Sequence, residues 1–192
     1  MPLLDDKSRK ENRTQSWVAE PGLVPSLELD RPALCSAGLG DPFEKLERLG
    51  AADGGTFGSE GEYVWRRHGL AVGLSRGRCA SFRVYFADEE GFAPFVGRCL
   101  VRGEEVSLSV LLSEETFVAR FGPPYWRDED EDGEALLFYE PASVEKPGAS
   151  RVEWQVEFDE AGRLACLVLL TPPSLERPGQ REAYGVTKPW PP

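Results

Sequence analysis

Apolar and polar residues alternate over short stretches through most of the chain, and only two stretches change to a helical spacing. In Val152-Glu153-Trp154-Gln155-Val156-Glu157-Phe158 every second side chain from Val152 is apolar. A two-residue period puts one face of a strand in a core and the other in water. Similar signals predict strands at Tyr63–Trp65, Phe82–Phe86, Phe95–Val101, Val106–Leu112 and Leu136–Tyr139. Leu164–Leu170 is apolar throughout, which predicts a central strand. Arg76-Gly77, Arg102-Gly103-Glu104 and Asp159-Glu160-Ala161-Gly162 supply the glycines that hairpin reversals need.

The first helical stretch has Asp41 as predicted N-cap, Pro42 at the first helical position, Phe43, Leu46 and Leu49 on one face, and a stop at Gly50. The second has Ser113 as N-cap, Glu114 and Glu115 in a first turn that favours anions, and a stop at Gly122-Pro123-Pro124. A shift of 72 residues lays Asp41 on Ser113, Arg48 on Arg120, Leu49 on Phe121 and Gly50 on Gly122. The same shift superposes a turn around Asp30-Arg31 on one around Arg102-Gly103. With a further insertion, Gly77-Arg78 falls on Gly162-Arg163.

These correspondences predict an α+β fold of two tandem units, each a hairpin, a short helix and three antiparallel strands. The units are expected to join in one antiparallel sheet with both helices on one face. The expected boundaries are an N-terminal tail at 1–25, units at 26–97 and 98–171, and a Pro-rich tail at 172–192. Trp17 and Trp190 are candidate anchors for the two tails.

A short helix with a Leu-Gly or Phe-Gly-Pro-Pro stop, an acidic loop, and then Phe158-Asp159-Glu160-Ala161-Gly162-Arg163-Leu164 resembles the helix-plus-sheet module of outer-membrane-assembly lipoproteins. That module also occurs in tandem in the secreted beta-lactamase inhibitor proteins. Tyr63-Val64-Trp65, His68-Gly69-Leu70 and Phe95-Val96-Gly97 are similar to uncharacterised bacterial immunity-type domains. Together the resemblances span about residues 26–171 and imply a role in binding or inhibiting another protein.

The chain's 192 residues carry a net charge of −11, and because the two tails nearly balance, the acidity belongs to the predicted folded part. Such a balance argues against nucleic acid or an anionic membrane as partner and favours a basic protein. No apolar stretch reaches the length of a membrane span or follows the opening charges as a signal peptide would, so the expected location is cytoplasmic. Cys35, Cys79, Cys99 and Cys166 lie far apart, as expected of buried reduced thiols.

His68 is the only histidine, and adjacent Arg66 and Arg67 disfavour the imidazolium that a catalytic base must form. Asp128-Glu129-Asp130-Glu131-Asp132-Gly133-Glu134 starts like a calcium loop, but Tyr139 stands where the bidentate Glu belongs and a strand follows. No cofactor, metal or enzymatic activity is therefore expected. Tyr125 and Trp126, rimmed by Asp128, Glu129, Asp130, Glu131, Asp132 and Glu134, have the composition of a partner-binding face.

The leading expectation is a non-enzymatic immunity protein that neutralises a basic toxin. The alternatives are a ligand-binding or enzymatic domain with a pocket between the units, drawing on His68, and a structural adaptor tethered by its Pro-rich tail.

Overall fold

The computed structural model describes residues 11–88, 91–139 and 152–170. The region 172–192 and Trp190 lie outside the described residues. The first half contains β1 (Ser26–Glu28), β2 (Ala33–Leu34), β3 (Ala37–Gly38), a 3-10 helix (Phe43–Leu49), β4 (Gly54–Gly55), β5 (Glu62–Trp65), a 3-10 turn (Arg66–His68), β6 (Leu70–Ser75) and β7 (Arg78–Tyr85). The second contains β8 (Arg98–Val101), β9 (Glu104–Val106), α1 (Glu114–Phe121), β10 (Trp126–Glu129), β11 (Ala135–Tyr139), β12 (Glu153–Phe158) and β13 (Leu164–Leu170).

The fold is therefore mostly β, which corrects the α+β expectation. Among the described residues two sheets form, of five strands in the order β3-β2-β1-β8-β9 and eight in the order β10-β11-β12-β13-β7-β6-β5-β4. The expected single sheet fails because the two hairpins pair with each other, Leu27 opposite Cys99 in a parallel register, and leave the longer strands to build a sheet of their own. The helical segments are too short to form a layer. Phe43, Leu46, Leu49 and Phe117 join a core cluster that also includes Leu27 and Leu34 from one sheet and Val72, Val156 and Leu167 from the other.

Asp41 does not cap the first helix. Its carboxylate accepts the Gly38 N–H at 2.8 Å and a Lys45 ammonium bond at 2.8 Å, and the segment that follows Pro42 winds as a 3-10 helix. Ser113 does cap α1, with its side chain accepting the Thr116 N–H at 3.2 Å.

Hydrogen bonds recur at matching places in the two halves. Phe43 donates to the Gly77 carbonyl as Glu114 does to that of Gly162, and Asp53 donates to Val64 as Tyr125 does to Phe138. The Gly50 carbonyl accepts from the Trp65 indole at 3.0 Å, and the Gly122 carbonyl from the Tyr139 hydroxyl at 2.9 Å. β7 and β13 are neighbours, so the eight-stranded sheet reads the same inward from either edge.

Candidate functional site: an acidic cleft in the second half

Residues directly opposite in a sheet share a face. The registers Asp128↔Leu136, Leu136↔Glu157 and Glu157↔Cys166 therefore set Asp128, Leu136 and Glu157 in one row on the face turned away from the main core. Two turns close the same end of the sheet. Asp130 Oδ1 accepts the N–H groups of Asp132 and Glu134, both at 3.0 Å. Asp159 Oδ1 accepts those of Ala161 at 3.0 Å and Arg163 at 2.8 Å. Between row and turns lies a cleft of about 270 Å³, lined by Asp128, Glu129, Asp130, Glu134, Glu157 and Asp159, with Leu136 and Ala165 supplying apolar wall.

Each carboxylate has a local environment of its own. Burial pushes the Asp159 carboxyl up, but bonds from the Arg163 backbone and guanidinium outweigh it and hold it below its ordinary value. Glu129 is paired with Arg127 at 2.5 Å, and the same guanidinium forks onto Glu114 of α1 at 2.7 and 3.2 Å. Glu114, in the first turn of α1, is thus compensated by Arg127. Arg127 and Arg163 pair with Glu129 and Asp159 and Arg83 of β7 acts on Glu157, so six carboxylates in the lining leave the cleft net anionic.

Asp128, Glu129, Asp130 and Glu134 of the sequence-predicted face line this cleft, while Glu131 and Asp132 stand exposed at the hairpin apex. Tyr125 and Trp126 are half-buried and lie outside the lining. The Tyr125 hydroxyl donates to Glu153 Oε2 at 2.8 Å, Gln155 donates to Glu153 Oε1 at 2.8 Å, and Glu153 is fully buried. Tyr125 thus satisfies a buried carboxylate. The calcium-like run forms a hairpin, and one oxygen of Asp130 is occupied by its turn.

Glu157 and Asp159 were missed as cleft residues. The signal for Glu157 is the wet side of the Val152–Phe158 alternation, which becomes informative only once the register places it beside β11, and Asp159 opens the hairpin turn that follows.

His68 ends the 3-10 turn, remote in sequence from every cleft residue; burial, and then Arg67, lower its pKa. Burial pushes the Cys79 and Cys99 thiols up to about 12, so neither is a thiolate nucleophile at neutral pH. Among the described residues no helix is long and apolar enough to cross a membrane. The chain matches no family model, no curated protein and no solved structure.

Proposed function

We propose that the chain is a non-enzymatic binding protein of immunity type, which neutralises a basic toxin by seating a Lys- or Arg-bearing segment in the acidic cleft. The observation that carries this reading is a difference between equivalent places. In the first half the positions of Asp128, Leu136, Glu157 and Asp159 are taken by Thr56, Glu62, Gly73 and Ser75, as the matching registers define them. There the Thr56 hydroxyl accepts the Glu62 N–H, and a Cβ on Gly73 would come within 2.4 Å of Ser81 Oγ. The scaffold therefore closes without the acidic cleft, and a feature that folding does not require is available for recognition.

Concentrated negative charge accelerates encounter with a cationic partner, and an apolar wall accommodates the methylene stems of Lys and Arg. The test begins with a basic partner retained by the tagged chain at low salt and lost at high salt. That protein should arrest growth when expressed alone, and co-expression of the chain should restore growth. Combined Asp128→Asn, Glu134→Gln and Glu157→Gln should slow association by about tenfold and flatten its salt dependence. Unchanged association kinetics in the triple variant would remove the cleft from consideration, and a partner harmless to the cell would remove the immunity role.

A further inference from the structure

Residues 12–20 cross the first half as a strap. Asn12 Oδ1 accepts both the backbone N–H of Thr14 at 3.0 Å and its hydroxyl at 2.6 Å, and Trp17 N–H bonds to the Thr14 carbonyl at 2.8 Å. The segment is thus a locally ordered Asx turn. Thr14 is fully buried and its hydroxyl oxygen accepts the Ala52 N–H at 2.8 Å, while Asn12 Nδ2 donates to the Ala52 carbonyl at 3.0 Å. The Trp17 ring lies 4.8 Å from that of Phe43. Ion pairs Arg13–Glu44 at 2.5 Å and Glu20–Arg48 at 2.7 Å flank this contact.

The second half shows that the scaffold does not need such a strap. The place of Ala52 is taken by Pro124, one residue before the matched pair Asp53 and Tyr125, and proline has no N–H to satisfy. A Cβ on Gly50 would come within 2.9 Å of Ala19, whereas one on Gly122 would meet nothing within 4 Å. At this matched position the first half has a buried backbone donor that calls for an external acceptor and the second has none, and a preorganised turn supplies the acceptor.

We infer that the groove formed by Phe43, Gly50 and Ala52 is a peptide-binding site, occupied in cis by residues 12–20. It is open to a partner segment with the same Asn-x-Thr-x-x-Trp spacing. This inference is independent of the acidic cleft. The partner's hydroxyl and amide engage Ala52, its indole covers Phe43, and a basic residue beside the Asn faces Glu44. Displacement of the strap then couples partner binding to release of the N-terminal segment.

The experiment uses the full chain carrying Thr14→Val and Trp17→Ala, with a synthetic peptide of residues 12–23 as probe and amide exchange as readout. The variant should expose the Ala52 amide at least about tenfold faster, while the amides of β12 and β13 keep their protection. The peptide should restore Ala52 protection saturably, and a peptide carrying the same two substitutions should not. Equal acceleration at Ala52 and in β12 and β13 would overturn separability of the strap. An Ala52 rate unmoved by millimolar peptide would overturn the site. Should the double variant fail to fold, the chain carrying Trp17→Ala alone, with excess peptide carrying fluorotryptophan at the Trp17 position, gives the same decision: a saturable bound resonance supports the site and its absence overturns it.

Discussion

The two halves share strand order and hydrogen bonds but close their helical ends by different chemistry. In the first, a separate segment lays Trp17 on Phe43 and a Thr hydroxyl on Ala52. In the second, Glu114 stands in the place of Phe43 and is held by Arg127 of a β10 four residues long, against two residues in β4. The first solution buries a ring contact and a hydroxyl bond behind exposed ion pairs and needs extra chain; the second is an exposed ionic contact within the half itself. The half without the strap is the half that carries the acidic cleft. What differs between equivalent sites marks what the fold leaves free for other uses.

The largest effects should come from the part of the comparison that the halves share. Leu46 and Phe117 are fully buried on the two helical segments, and Leu46→Ala and Phe117→Ala should destabilise by about 2–5 and 3–5 kcal/mol in denaturant titrations. A loss under about 1 kcal/mol at either position would break the equivalence of the two helices.

Next comes the contrast itself. Trp17→Ala should cost about 2 kcal/mol through lost apolar contact, whereas Arg127→Ala, removing exposed ion pairs, should cost less than about 1 kcal/mol and less still in high salt. The reverse ranking would mean that the ionic closure is the stronger one. Pro124→Ala sharpens the point, since it gives the second half an N–H without a strap. The expected loss is about 1 kcal/mol by thermal melting, with both the new donor and the freer unfolded chain contributing.

The smallest effect is in acid. Hydrogen bonds from the Lys45 side chain and the Gly38 backbone hold the Asp41 carboxyl below its ordinary value of 3.8, and Arg163 does the same for Asp159. A depressed carboxyl contributes stability that is complete above its unfolded value and is lost as pH falls through the folded one. Asp41→Asn and Asp159→Asn should each lower stability slightly at neutral pH and flatten its decline below about pH 4. A decline as steep as that of the unsubstituted chain would show that these contacts do not set it.

Much of the fold can be read along the chain where side-chain period and turn chemistry agree, as in Val152–Phe158, Leu164–Leu170 and the Ser113-to-Gly122 helix. β6 was hidden because Gly73 and Ala71 dilute its apolar pattern. The predicted Val106–Leu112 strand shares only Val106 with β9, since pairing ends there and the chain then turns toward α1. Trp126-Arg127-Asp128-Glu129, read as loop, is an edge strand whose charges discourage further pairing. The parallel β1–β8 pair carries no periodic signature, because it joins strands far apart in the chain. Half of the cleft was legible as an acidic run; the other half depended on a register that no single segment encodes.

The seam between β7 and β13 also governs assembly. It pairs Ser81 with Leu170 and Tyr85 with Cys166, the widest sequence gap spanned by any strand pair of the larger sheet. Contacts so remote must overcome chain entropy before they are rewarded, and they slow folding relative to local hairpins. During synthesis β7 therefore waits as an unpaired edge until the residues of β13 have emerged. The first half is thus committed to its final partner only when nearly the whole described chain is present, and a truncation short of β13 would leave a sticky margin in place of half a protein.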